Sequence, residues 1–550
     1  MTARVAERGG TRRRSRSIGR AAVTIGVITV LARVVGFGRQ VVFAHTVGTT
    51  CLGTAYTTAN MVPNIIYDIV LGGALSSVVV PVLAGPVDLA REQVRQTASA
   101  LLTWTVVLLV PVSALLALAA RPIVTAALSG ASGCPHGSLA GVGTRMLIVF
   151  APQVLLYGLA VVLYGILQSH RKFGAPALAP LLSSLVVVGA YGGFGVIGGQ
   201  YADHLNKLPR LPEYLLSGGT TLGVLALVVT GLVPAWRLHL APRPTLRFPP
   251  GIGGRVRKLA LAGVLALIAQ DASVAVVIVL ANRFGHSGAL VLYGFAWAVF
   301  VVPYAVLAVP VATSAFPELS ARAGQRDLSD GGAFDSVAAA STRAVLLASM
   351  LGAAALVGAR TPLSRVFESH STPQAWVLSV ALAAFAPGLI GYGLSANLSR
   401  VLYALGRNRA PALAISAGWL LVMAADIAIV PFIPRSRVVP LLGLGTTIGL
   451  TASGIALLIL VRRERGAAAL AGMWRAFWAG VAGCLLAALA GSAVAIGVRV
   501  NGFVMNVGVS VLVSAVVTGV FTLVVINLDG GDAVAALRRL RAPKVPVAGP

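Results

Sequence analysis

ARVVGFGRQVVFAH, residues 32–45, and ANMVPNIIYDIVLGGALSSVVVPVLAG, residues 59–85, read as two long apolar helices joined through a short loop. Arg33, Arg39 and Asp68 lie well inside them. Insertion scales put one Arg or Asp at the bilayer centre at roughly +2.5 to +3.5 kcal/mol, so such residues seldom face lipid. Two readings stand. Arg33 and Asp68 form a structural ion pair between helices, or the charges line a wet, cationic cavity for an anionic substrate. An internal cavity in a many-span chain makes transport the leading class.

Working outward, the composition supports the membrane reading. Hydrophobic residues make up 57% of the 550, charged residues 11%, and mean hydropathy is +0.88. Soluble domains carry about 25% charged residues. Apolar stretches long enough to span recur from Ala21 to Leu528, which predicts an all-α polytopic membrane protein of about fourteen transmembrane helices. The net charge of +27 does not indicate nucleic acid, because the basic residues sit in short loops between spans. With the N-terminus inside, the inner loops, tails and span edges hold 30 of the 43 Lys and Arg residues, and the outer loops hold 9. Both termini are therefore expected on the cytoplasmic side, with anionic headgroups near the inner loops.

Chemistry-bearing motifs are missing from the sequence. It contains no HExxH, no Cys/His pair at metal-ligand spacing, no GxxxxGK[ST] and no GxSxG. Catalytic residues are not expected. Cys51 and Cys134 both fall on loops placed outside, which leaves a disulfide open, but with Cys484 they read better as unrelated thiols.

An internal repeat organises the rest. FAPQVLLYGLAVVLYGILQSHRKFGAPALA (150–179) aligns without a gap on FAPGLIGYGLSANLSRVLYALGRNRAPALA (385–414), with 13 of 30 positions identical at an offset of 235. Six spans separate the copies, so both share one orientation, as in two-lobed transporters whose site lies between lobes. The expected organisation is a basic arm over 1–19, a six-span lobe over 20–236 and a connector over 237–257. A second six-span lobe follows over 258–461, then an extra helix pair over 474–527 and a cytoplasmic tail over 528–550. Pro63 interrupts the second span, Pro303 and Pro310 the eighth, and Gly36 and Gly38 loosen the first. The connector, with APRPTLRFPPGIGG, reads as flexible.

The segment RVVGFGRQVVFAHTVGTTCLGTAYTTANMVPNIIYDIVLGGALSSVVVPVLA resembles the N-terminal signature of the MurJ/MviN family of lipid II flippases, part of the MOP superfamily. The resemblance implies fourteen spans, two pseudo-symmetric lobes of six and two additional C-terminal helices. It further implies transport of undecaprenyl-pyrophosphoryl-disaccharide-pentapeptide from the inner to the outer leaflet by alternating access. The family's two first-span arginines fall on Arg33 and Arg39. They are six residues apart, about 9 Å along a helix, and so sit at different depths. Arginine suits a pyrophosphate, offering bidentate donors that stay charged. Asn60 and Asn64 would add neutral donors near Pro63.

The chain departs from the family pattern. Tyr67–Asp68 stands where a further arginine follows the Pro-Asn pair, Ala298 where the eighth span often has another, and Thr54 where an acid is common. Asp68 would then be a counter-ion, and Arg145 either replaces a lost charge or is an interfacial arginine. In the second lobe Asp271 (ALIAQDASVAV), Asp426 (MAADIAIV), Thr446 and Thr447 (GLGTTIGL) either form a sodium or proton coupling site or are unrelated polar residues. Expected partners are lipid II, membrane lipids and cell-wall synthesis or division proteins. Alternatives are a MOP-superfamily exporter of a polysaccharide-lipid or cationic drug, and a transport-inactive cell-wall scaffold.

Overall fold

The computed structural model describes residues 26–69, 91–170, 172–238, 243–248, 252–323, 331–370, 374–498 and 500–529. The arm over 1–19, most of the tail and the second-span motif over 70–85 lie outside the described residues. Among the described residues every regular element is helical. That is the expected answer of a backbone with no water to bond, since a helix satisfies its polar groups within itself.

Contacts divide the chain into two compact units. The first comprises 1–47, 51–126 and 135–264. It contains α1 (26–46), α2 (Cys51–Ile69), α3 (Arg91–Leu118), α4 (Ala120–Ala127), α5 (His136–Phe150), α6 (Gln153–Ser169), α7 (Gly174–Ile197) and α8 (Arg210–Trp236). Helix α9 (Ile252–Phe284) passes into the second unit. That unit holds α10 (Ala289–Pro303), α11 (Val309–Ala323), α12 (Gly331–Val366), α13 (Ala375–Phe385) and α14 (Gly388–Ala404). It continues with α15 (Arg409–Ile429), α16 (Val438–Arg465), α17 (Met473–Gly497) and α18 (Phe503–Asp529).

Among the described residues twelve helices are long and apolar enough to cross a membrane, or thirteen if the bent pair α13–α14 counts as one span. The protein is thus a multi-span helical membrane protein. Helix α2, the first part of the expected second span, is 19 residues long within the described residues. Pro63 sits inside α2 without ending it. Pro303 and Pro310 instead flank a π-helical turn, Tyr304–Ala308, which absorbs the missing hydrogen bonds between α10 and α11.

The sequence repeat is a repeat of structure. Helix ends at Phe150, Gln153, Ser169 and Gly174 recur, 235 residues on, at Phe385, Gly388, Ala404 and Arg409. Pro152 and Pro387 occupy the N-cap positions with nearly the same dihedrals, φ −61 ψ −19 and φ −63 ψ −27. A proline has no N–H to give, so the helical ladder breaks there. A threonine from another helix serves the carbonyl beside each break. Thr221 on α8 donates to Val149 O at 3.0 Å, and Thr447 on α16 donates to Ala384 O at 2.7 Å. The far ends match too, with Lys172 N on Leu167 O and Arg407 N on Leu402 O at 2.8 and 2.9 Å. The second copy bends by 44°, whereas His136–Ser169 runs as one span.

Small residues bring the last two helices onto α12. A Cβ built on Gly491 of α17 would lie 3.2 Å from the Gly358 Cα of α12 and 2.6 Å from Val517 Cγ2 of α18. Without a hydrophobic drive between helices in lipid, such close van der Waals packing holds spans together. Ala476, Ala487, Val513, Val517 and Phe521 join Met350 and Ala354 in one buried cluster.

Of the connector, residues 243–248 lie along α3. Arg243 N donates to Ser99 Oγ and Thr245 N to Thr103 Oγ1, both at 3.1 Å, and Trp104 Nε1 donates to Leu246 O at 3.0 Å. Four helical residues rise about 6.0 Å and two strand residues about 6.6 Å, so hydroxyls one turn apart meet alternate backbone N–H groups. Leu238 and Phe248 pack on a small core of Ala98, Leu101, Val161, Val162 and Ile166. Cys51 and Cys134 are each disulfide-bonded and Cys484 is free, which overturns the reading of unrelated thiols.

Candidate functional site

In the first unit, α1 runs alongside α7. A Cβ on Gly36 would meet Ser184 Oγ at 3.9 Å, and one on Gly195 would meet Thr46 Cγ2 at 2.8 Å. The Phe43 ring lies 5.1 Å from that of Tyr191. Gly36, Phe43 and Thr46 therefore mark the α7-facing side of α1. Arg39 sits on that side, one turn before Phe43. Arg39 is half-buried, whereas Arg33 is exposed.

Helices α2 and α6 bring a second group together. Tyr157 donates to Asn64 Oδ1 at 3.1 Å, and its ring lies 4.2 Å from that of Tyr67. Arg39 is within electrostatic reach of the Tyr56, Tyr157 and Tyr191 hydroxyls, and Asp68 of those of Tyr67 and Tyr157. Tyr157 thus holds Asn64 by a hydrogen bond and lies within electrostatic reach of Arg39 and Asp68. Among the described residues no ion pair joins Arg33, Arg39 or Asp68 to any partner. The Arg33–Asp68 pair that the sequence allows does not form. Asn60 Oδ1 is buried with no hydrogen-bond partner, an acceptor left open on α2.

Arg145 is committed elsewhere. Its Nε and Nη2 each lie 2.7 Å from the two carboxylate oxygens of Glu213 on α8, a bidentate pair. Glu213 is 1% exposed while the arginine side chain is 35% exposed. Arg145 therefore offsets a buried carboxylate, which leaves little of its charge for replacing a lost cavity arginine.

In the second unit Asp426 is 1% exposed, and neither of its oxygens has a hydrogen-bond partner. Gly445 makes room for it, since a Cβ there would collide with the carboxylate. Tyr293 lies near Thr446 and is within electrostatic reach of Asp426. Thr446 donates to Leu442 O at 2.8 Å. Thr447, next in sequence, faces the α13–α14 break and spends its proton there. Asp271 is buried on α9. The structure thus gathers Asp426, Tyr293 and Thr446, and directs the Thr447 hydroxyl away. A buried acid with no donors carries a large desolvation cost, and a hard cation or a proton would relieve it.

The residues missed from sequence are mainly aromatic. Tyr157 and Tyr392 are identical across the repeat at offset 235, a signal that marks them out. Tyr392 likewise stacks on a tyrosine, Tyr304, with centroids 3.9 Å apart. No sequence pattern identifies Glu213, Tyr293 or Gly445.

Comparison with known proteins places the chain among relatives. The family model described as lipid II flippase MurJ matches residues 43–516. The lipid II flippase MurJ of Burkholderia cenocepacia is 26% identical over 491 residues, covering 85% of this chain and 88% of that protein. The probable lipid II flippase MurJ of Synechocystis sp. is 26% identical over 414 residues, covering 72% and 73%. Among solved structures, a lipid II flippase MurJ in an inward closed conformation matches with a TM-score of 0.68 at 18% identity, covering 91% of this chain and 98% of that one. A multidrug resistance MATE family transporter of the MOP superfamily, in an inward-facing conformation, matches at 0.63 with 17% identity, covering 80% and 94%. At these identities the structural likenesses speak for the fold.

Proposed function

The chain belongs to the MurJ family of lipid II flippases, and we propose that it moves lipid II from the inner to the outer leaflet of a bacterial plasma membrane. The protein is a transporter, and the work is differential binding of one cargo by two conformations. Two six-span lobes alternate access, both termini are cytoplasmic, and the last two spans accompany the prenyl tail. The single observation that carries the reading is the half-buried Arg39, which has no carboxylate partner among the described residues and lies within electrostatic reach of Tyr157, the hydroxyl that holds Asn64. Its uncompensated charge suits a pyrophosphate. Arg33, one and two-thirds turns earlier, would meet the headgroup at another depth, and Asp68 tempers the local charge. In the other unit Asp426, with Thr446 and Asp271 as further ligands, would take the coupling sodium ion or proton.

The test is growth of a flippase-depleted strain together with a lipid II translocation assay. Arg39→Ala is expected to remove both while leaving membrane levels unchanged. Full growth of Arg33→Ala and Arg39→Ala would defeat the cationic-site reading.

Asp68 favours a second reading. It stands at the place of a family arginine and has no ion-pair partner among the described residues, so a related exporter of organic cations would use it. Translocation of lipid II but not of an organic cation would eliminate that reading.

A further inference from the structure

We propose that residues 243–248 are a docked strap that fixes Tyr67, and through it the Tyr157–Asn64 pair. Ser99, Thr103, Trp104 and Phe248 are then positioning residues for the cargo headgroup, which they do not touch. The proposal rests on the transport reading above and gives the connector a part in it.

The docking has a fixed register. Thr103 Oγ1 donates to Ser99 O at 2.8 Å, which uses its only hydrogen, so toward Thr245 N it is an acceptor. Ser99 Oγ accepts from Arg243 N. Trp104 Nε1 can only donate, and Leu246 O receives it. Helix α3 therefore asks for an N–H at 243, an N–H at 245 and a carbonyl at 246. The sequence PRPTL, residues 242–246, has its prolines at 242 and 244, where α3 takes no N–H. A slip of one residue in either direction would set Pro244 against a hydroxyl acceptor with no hydrogen to give. Chance contact of a loose connector would not need that match.

The same segment reaches the apolar junction on which Tyr67 rests. Phe248, Leu238 and Tyr67 all pack on one core that includes Ala98 and Leu101 of α3 and Val161 and Ile166 of α6. Ala98 and Leu101 flank Ser99, so the polar and apolar holds on the strap act at one turn of α3. Tyr67 makes no hydrogen bond among the described residues, so packing alone holds its ring. That ring lies 4.2 Å from the ring of Tyr157, whose hydroxyl donates to Asn64 at 3.1 Å. Withdrawing Phe248 thins the core, and Tyr67 is packed less tightly. Within 243–248 only Thr245 and Phe248 are half-buried and the rest are exposed, so few contacts hold the strap and it opens before the helices do. A strap that served stability alone would be indifferent to cargo. One that positions Tyr67 must respond to it.

The experiment uses the full-length protein in nanodiscs, with amide hydrogen exchange over 243–248 and over 64–69 as readouts. Undecaprenyl pyrophosphate is the lipid probe and undecaprenol its uncharged control. Thr103→Val and Trp104→Phe should each speed exchange over 243–248 about five- to tenfold, the scale of one lost hydrogen bond, and Thr103→Ser should keep the wild-type rate. Phe248→Ala should speed exchange over 64–69 as well, with no lipid present. It should also weaken pyrophosphate-lipid binding several-fold while undecaprenol binding holds. By linkage, saturating pyrophosphate lipid should slow exchange over 243–248 in the wild type. If Phe248→Ala does not accumulate, Trp104→Phe decides by the same readouts. Faster strap exchange with wild-type behaviour of 64–69 and of lipid binding overturns the proposal. Strap exchange indifferent to a pyrophosphate lipid that binds also overturns it. Undiminished binding by Arg39→Ala counts against the transport reading itself, and the lipid-free exchange rates judge the strap either way.

Discussion

Tyr157 and Tyr392 occupy the same place in two copies of one motif, and each lies against a tyrosine from another helix, Tyr67 at 4.2 Å and Tyr304 at 3.9 Å. In the first copy the hydroxyl also holds Asn64. Tyr157→Phe keeps the ring and strands the Asn64 oxygen. We expect about 1 kcal/mol of lost stability and a several-fold fall in lipid II translocation. Melting curves and the translocation assay on Tyr157→Phe and Asn64→Ala check this. The double variant should lose less than the sum of the two.

The Arg145–Glu213 pair should break asymmetrically. Removing Arg145 leaves a carboxylate that is 1% exposed, whereas removing Glu213 leaves an arginine that water already reaches. Arg145→Ala should therefore cost about 3 kcal/mol and Glu213→Ala about 1 kcal/mol. Denaturation in a fixed detergent measures both. Equal costs would show that Glu213 hydrates readily.

Thr221 and Thr447 should matter through their hydroxyls. Thr447→Val leaves the Ala384 carbonyl unserved at the α13–α14 bend, and Thr221→Val does the same to Val149. Each is expected to lower stability by about 1 kcal/mol, with Ser at either site restoring most of it. Melting temperatures of the four variants give the comparison.

Asp426→Asn should move stability and transport in opposite directions. The carboxylate is buried with both oxygens unpartnered, so a neutral amide removes a desolvation cost. Melting temperature should rise while translocation falls. In sodium titrations the wild type should gain stability that the variant does not. A variant that transports normally would dismiss the coupling role.

Gly491→Leu tests the seating of the last two helices. Its side chain would run into Gly358 and Val517. Overpacking of this kind costs about 1–3 kcal/mol, read as a lower melting temperature and reduced translocation, with Gly491→Ala milder.

Much of this protein was legible in its sequence. Long apolar runs dictate helices because lipid offers the backbone no partners, and they make the chain a multi-span membrane protein. The 30-residue repeat predicted paired structure, and the helix ends do recur at its offset of 235. Arg39, Asn64, Asp68 and Asp426 stood out because charge or amide inside an apolar run is costly. The sequence could not say which of them have partners. Arg145 finds Glu213, 68 residues away, whereas Arg33 and Asp68 do not find each other. Thr446 and Thr447 are neighbours in the chain, yet one faces Tyr293 and the other a broken helix. Nor could it reveal that residues 243–246 hydrogen-bond to α3 or that Tyr157 holds Asn64. Pattern and composition report what each segment must bury, and that sets the fold class. Partnership depends on distances of about 3 Å between residues far apart in the chain, and only packing of the helices settles those.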